Sequence, residues 1–136
     1  MAAIQAHRIK TDPDPMEPFR LAQGYRVGNM VYLSGVAALT KEGEIAGEGD
    51  FDAQAEQVFR NIAEILGVAG SGLEQVIKVT IYLTDMSNFP KMVDLRGKWF
   101  TAPYPADTIV EVRALALPEL MIEIDVIALV DGEIIG

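Results

Sequence analysis

The stretch "YPADTIVEVRALALPELMIEIDVIALV", residues 104–130, contains two runs in which apolar and polar side chains alternate, around a Leu- and Pro-containing break. Alternation with a period of two is the mark of a half-buried strand. The two runs are therefore expected to form a β-hairpin with a loop at 115–120. One face of it would carry Val110, Val112, Ile122, Ile124, Val126 and Ala128. The other would carry Asp107, Ile109, Glu111, Arg113, Glu123 and Asp125, an unusual density of charge for a sheet face. Matching faces across the loop would set Arg113 opposite Glu123, as a cross-strand ion pair or a ligand contact, and Glu111 opposite Asp125. A cluster of acids of this kind can lift a carboxyl pKa and so prepare a general acid or base, or it can be a solvated rim.

Working outward, "QVIKVTIYLTD" (75–85) supplies another strand, with Ile77, Val79, Ile81 and Leu83 alternating with Lys78, Thr80 and Tyr82. Before it, Phe51, Ala55, Val58, Phe59, Ile62, Ile65 and Leu66 recur at three- and four-residue steps. That period predicts an amphipathic helix of roughly 16 residues, capped by Asp50 or Asp52 and closed at Gly67 or Gly70. After it, Asp85 or Ser87 opens a second helix with Phe89, Met92, Val93, Arg96, Trp99 and Phe100 on one side, ended by the prolines of "APYPA". Near the start, "FRLAQGYRVGNMVYLSGVA" predicts strands at 19–26 and 30–37 turning at "VGN", with a weak strand near Ile45. Residues 1–18, with "TDPDPMEP", read as an irregular arm, leaving 19–136 as one domain. The order predicts an α+β fold, a mixed sheet with two helices packed on one face. The remaining face is polar, yet Tyr82, Ile109 and Met121 make it apolar enough to pack against another subunit.

The chain has 136 residues, no cysteine and a formal charge of −9. These exclude disulfides, thiol nucleophiles and zinc ribbons, and make nucleic acid an improbable partner. No apolar run is long enough to span a membrane, and the N-terminal residues lack a secretory pattern, so a cytoplasmic protein is expected. "GVAGSG" (67–72) lacks the Lys-Ser/Thr ending of a phosphate loop and sits between helix and strand, so it is a helix stop and a turn. His7 is the single histidine; it lies in the arm, and no partner exists to activate Ser34 in a triad.

Taken together, "EPF…QGYRVGNMVYLSG", "DFDAQAEQVFRNIAEIL", "VIKVTIYLTDMSNFPKM" and "YPADTIVEV…LPELMIEIDVIA" resemble the Rid (YjgF/L-PSP) family, over nearly the whole chain from about residue 16. The resemblance implies the chorismate-mutase-like fold and a homotrimer with clefts between subunits. It also implies hydrolysis of reactive enamines and imines to a 2-keto acid and ammonia, without metal or organic cofactor. In the family an arginine of a Pro-Ala-Arg-Ser/Thr pattern clamps the substrate carboxylate, and a glutamate of an Ile-Glu-Ile pattern positions water. Glu123 matches the second. Asp107 replaces the first, at a cost of about 2–5 kcal/mol if a desolvated clamp is lost. Ser34 matches the family serine, Phe19 replaces a ring that usually bears a hydroxyl, Ile109 stands where some members have cysteine, and Val93 and Arg96 replace a common asparagine and tyrosine. Arg96 or Arg113 could supply a relocated cation, although Arg113 lies about 20 Å along the strand from Asp107. The expectation is an altered cleft for a small metabolite that is neutral or carries an amine, with Glu123 and Asp107 as its acids. A non-catalytic binding protein of the same fold is the alternative, and a ribonuclease or translation inhibitor is less favoured.

Overall fold

The computed structural model describes residues 2–136. Seven strands form one mixed sheet: β1 (His7–Ile9), β2 (Gly24–Val27), β3 (Met30–Leu33), β4 (Val36–Ala37), β5 (Val76–Leu83), β6 (Ala106–Glu111) and β7 (Ile122–Leu129). Their spatial order is β1-β2-β3-β7-β5-β6, with β4 also paired to β7. Two helices, α1 (Phe51–Val68) and α2 (Phe89–Trp99), supply the second layer. The expected arm thus contains a short strand, and β2 begins five residues later than the alternation suggested. Glu17–Phe19 form a 3-10 turn before it.

The largest correction concerns the last two strands. They do not form a hairpin, because β5 lies between them, parallel to β6 and antiparallel to β7. Ile81 pairs with both Ile109 and Ile124, so one apolar row crosses all three strands. Alternation records which face a side chain occupies; it does not record which strand lies alongside. Arg113 is consequently not opposite Glu123, nor Glu111 opposite Asp125: Tyr82 pairs with Glu123, Thr80 with Asp125 and Leu83 with Glu111. Arg113 falls in the connection after β6, outside any strand.

Paired residues in a sheet share a face, so the β6 faces are the reverse of those expected. Asp107, Ile109 and Glu111 accompany Val79, Ile81 and Leu83 on the helix side. Glu123 and Asp125 remain on the open side, as expected, because Ile122, Ile124, Val126 and Ala128 are buried under the helices. Ile77 also departs from its expected place. An irregularity between Val76 and Lys78 leaves Val76 buried and Ile77 only partly so.

Helix α1 starts where expected, with Asp50 Oδ1 accepting from the Ala53 N–H at 3.1 Å. Its apolar stripe is buried, including Ala55, Val58, Phe59, Ile62 and Leu66. Helix α2 is fastened to edge strand β6 at both ends. The Glu111 carboxylate accepts from the Met86 N–H at 2.8 Å in the turn before α2, and Arg96 in its last turn meets Asp107. Phe59 ties the helices together by stacking on Trp99, with centroids 5.4 Å apart, and meeting Phe100 edge-on.

Candidate functional site

The predicted strand 30–37 is two strands, and the break between them builds the site. Tyr32 pairs with Ile127 and Val36 with Ile124. Between these pairs three residues, 33–35, face only two of β7, 125–126, which is a β-bulge at Ser34–Gly35. A Cβ at Gly35 would collide with the Glu123 carboxylate, so glycine is what lets that carboxylate lie against the backbone. Ser34 is fixed by its N–H, which donates to Gln23 O at 2.9 Å, and by its hydroxyl, which donates to Ala22 O at 2.6 Å.

Glu123 is half-buried and makes no side-chain hydrogen bond among the described residues. Burial lifts its carboxyl above the ordinary glutamate value, and the nearby Asp125 charge pushes the same way. Asp125 instead accepts a hydrogen bond from the Tyr82 hydroxyl at 3.1 Å. That bond, then burial, holds the phenol proton on and raises the Tyr82 pKa. The arrangement leaves one carboxylate free and a second one occupied beside it.

Glu123 lines a cavity of about 520 Å³, with Ser34, Gly35 and Phe19 also in its wall. The residues from Thr11 to Leu21 form one side. They are held by Gln23, whose buried amide oxygen accepts from the Thr11 N–H at 2.7 Å. The connection between β6 and β7 forms another side through Ala116, Leu117 and Leu120. Its position is set by fully buried Gln54, which donates to Glu119 O (2.8 Å) and Gly47 O (3.2 Å) and accepts from the Met121 N–H (2.8 Å). Asn61 donates to the carbonyls of Ala37 and Leu39, anchoring β4 to α1. The sequence reading missed Gln54, Gln23 and Asn61. A signal existed for Gln54, which stands on the apolar stripe three residues after Phe51 and four before Val58, where a polar residue must find buried partners.

The remaining candidates gather elsewhere. Arg96 Nε donates to Asp107 Oδ2 at 2.8 Å and Nη2 to Oδ1 at 3.1 Å, a bidentate pair with both side chains mostly shielded. Arg96 also lies over the Phe89 ring, 5.8 Å from its centroid. Val93 is exposed one turn earlier on α2, and Ile109 is half-buried against the core. Within one chain, then, Phe19, Ser34 and Glu123 come together, while Val93, Arg96, Asp107 and Ile109 lie on the helix side of the sheet. Asp107 and Glu123 do not meet, and Arg113 joins neither group. Among the described residues no cluster of three or more His, Cys, Asp or Glu side chains is placed to hold a metal ion.

The endoribonuclease L-PSP family model matches residues 10–130, nearly the whole chain. The protein belongs to that family. A RutC family protein of Pyrococcus horikoshii is 40% identical over 117 residues, covering 85% of this chain and 90% of that one. Reactive Intermediate Deaminase A, chloroplastic, of Arabidopsis thaliana is 35% identical over 128 residues, 93% of this chain and 67% of that protein. The crystal structure of the Rid-family protein YyfA of Yersinia pestis superposes with a TM-score of 0.85 at 29% identity, over 93% of this chain and all of that one. The L-PSP chain described here therefore has the Rid fold, the mixed sheet with two helices on one face that its sequence predicted. No helix among the described residues is long and apolar enough to cross a membrane.

Proposed function

We propose that this L-PSP family protein hydrolyses the C=N bond of a reactive imine, or of the imine tautomer of an enamine, with Glu123 handling the water. The observation that carries the reading is the free, half-buried Glu123 carboxylate held against the Ser34–Gly35 bulge at the wall of a cavity. A carboxyl whose pKa is raised by burial is a stronger base when ionised than an ordinary glutamate, which suits it to take a proton from water. In the ionised form it accepts a proton as water attacks the carbon of the protonated imine, giving a carbinolamine. It then returns that proton to the nitrogen and takes the carbinolamine hydroxyl proton as the C–N bond breaks, and the products are a carbonyl compound and ammonia. The deaminase name of the Arabidopsis relative supports the same reaction class.

The working unit in this reading is a homotrimer. Its cleft joins the Glu123 cavity of one subunit to the Arg96–Asp107 face of the next, which would reunite the two groups of residues. Asp107 is not a second acid there, since Arg96 engages both of its oxygens. The pair makes a nearly neutral wall where a lone arginine would attract a carboxylate, so neutral or amine-bearing substrates are favoured over 2-imino acids. The same pair favours the second reading, a binding protein without hydrolysis.

The test is ammonia release from imines generated in situ, comparing wild-type protein with Glu123→Gln. A fall of at least a hundredfold in the variant supports the proton role. Hydrolysis that is unaffected by the substitution would sink it, and absence of wild-type turnover with retained ligand binding would select the second reading.

A further inference from the structure

We infer that the Asp131–Gly132 peptide bond is a latent site of isoaspartate formation, which the Gln75 side chain keeps closed in the folded protein. Neither Asp131 nor Gly132 lines the Glu123 cavity, and the chemistry needs no imine. Packing requires glycine at 132, because a Cβ there would lie 2.6 Å from Leu129 Cδ1 and 2.7 Å from Leu129 Cβ. An aspartate followed by glycine is also the pair whose backbone closes most readily on the preceding carboxyl, since no side chain shields the glycine nitrogen. Both residues are exposed to water. The fold therefore cannot remove the vulnerable pair and must restrain it.

Closure joins the Gly132 nitrogen to Asp131 Cγ. The nitrogen gives up its proton, the carboxyl gives up a hydroxyl, and one water leaves as the succinimide ring forms. Water then adds back to either ring carbonyl. Opening at Cγ restores aspartate. Opening at the Asp131 backbone carbonyl leaves the chain running through the side chain, which is isoaspartate of unchanged mass. In the fold the attacking nitrogen is engaged: the Gly132 N–H donates to Gln75 Oε1 at 2.8 Å, and Gly132 O accepts from Gln75 Nε2 at 3.2 Å. The residues before it are held as well. Leu129 O accepts from the Ser71 hydroxyl at 2.6 Å, and the Val130 N–H donates to Asn29 O at 2.9 Å. Between these anchors Asp131 is fixed in the left-handed region at φ 51°, which aspartate tolerates. The Gly132 nitrogen cannot swing onto Cγ without leaving Gln75. Isoaspartate would add a backbone carbon between the Val130 and Gly132 anchors, so the modified chain could not keep both.

The experiment ages full-length wild-type, Gln75→Leu, Gln75→Glu and Asp131→Glu proteins at physiological pH and temperature, folded and in denaturing urea. Isoaspartate is measured as methyl groups accepted from an isoaspartyl carboxyl methyltransferase and located by peptide mapping. Asp131→Glu cannot close the same ring and sets the background. With two hydrogen bonds to break, folded wild-type protein should form isoaspartate at 131 about thirtyfold more slowly than the unfolded chain. Folded Gln75→Leu should recover most of that factor. Gln75→Glu keeps an acceptor for the Gly132 N–H and should fall between the two; it carries the comparison if Gln75→Leu does not fold. Equal rates in folded and unfolded wild-type protein would overturn the inference. So would folded Gln75 variants as slow as wild type, which would move the protection from the clamp to the Asp131 backbone, and so would an unfolded chain that forms no isoaspartate at 131.

Discussion

Replacing Asp107 by Asn isolates the role of the Arg96–Asp107 pair with little change in shape. The pair has two hydrogen bonds, at 2.8 and 3.1 Å, and its side chains are 24% and 18% exposed. It therefore falls between exposed pairs, worth about 0–1 kcal/mol, and buried pairs, whose breakage costs about 3–5 kcal/mol. A stability loss of about 1–2 kcal/mol is expected for Asp107→Asn, with most of it coupled to Arg96 in a double-mutant cycle with Arg96→Gln. Function should move the opposite way for anionic substrates. A guanidinium released from its carboxylate can bind a substrate carboxylate, and a charge-assisted bond contributes about 1.5–3 kcal/mol. At 1.4 kcal/mol per tenfold, kcat/KM for 2-imino acids should rise about tenfold or more. The assays are urea denaturation of all four cycle members and turnover of a carboxylate-bearing imine against a neutral one. If Asp107→Asn lowers or leaves unchanged the rate on the carboxylate substrate while the assembly stays intact, the neutral-wall argument is refuted. A coupling energy near zero would show that the pair does not hold α2 to β6.

Gly35→Ala should abolish most activity with little loss of stability. The new methyl meets the flexible end of Glu123, which can rotate away, yet a displacement of about 1 Å can cost a hundredfold in rate; thermal melting and turnover on the same preparation separate the effects. Gln54→Leu keeps the volume but orphans the Glu119 and Gly47 carbonyls and the Met121 N–H. It should cost about 3 kcal/mol or more in denaturant titrations and weaken ligand binding by loosening the connection that walls the cavity. For Glu123, whose pKa is raised by burial and then by Asp125, the folded carboxyl holds its proton more tightly than the unfolded one. Its favourable contribution is intact below about pH 4.3, the unfolded value, and is lost as pH rises through the folded value. Glu123→Gln should therefore raise Tm at neutral pH and leave it unchanged at acid pH, while the wild-type rate falls on the acid side at a higher pH than a free glutamate would give.

Local pattern was enough for the elements whose identity depends on a single segment. The stripe from Phe51 to Leu66 specified α1, the alternation through Val79, Ile81 and Leu83 specified the central strand, and Ile122–Ala128 specified the buried face of β7. Glu123 was legible for the same reason, since an acid between two buried isoleucines must emerge on the opposite face. Quoted segments in a fixed order were sufficient to indicate the family, because spacing along the chain is a property of the sequence.

Pairing between strands is not such a property. Hydrogen-bonded partners are chosen by the whole sheet, and the same alternation in β6 serves beside β7 or beside β5. Only the tertiary structure put β5 between them, turned Asp107 toward Arg96 and away from Glu123, and left Arg113 in a connection. It also made the Ser34–Gly35 bulge and the cavity, both of which need segments more than eighty residues apart to meet: β4 sets the bulge only against β7, and the residues from Thr11 to Leu21 close the wall only once Gln23 and the 112–121 connection are in place. The sequence by itself determined which residues face inward and what chemistry they carry. Long-range packing decided which of those residues could act together.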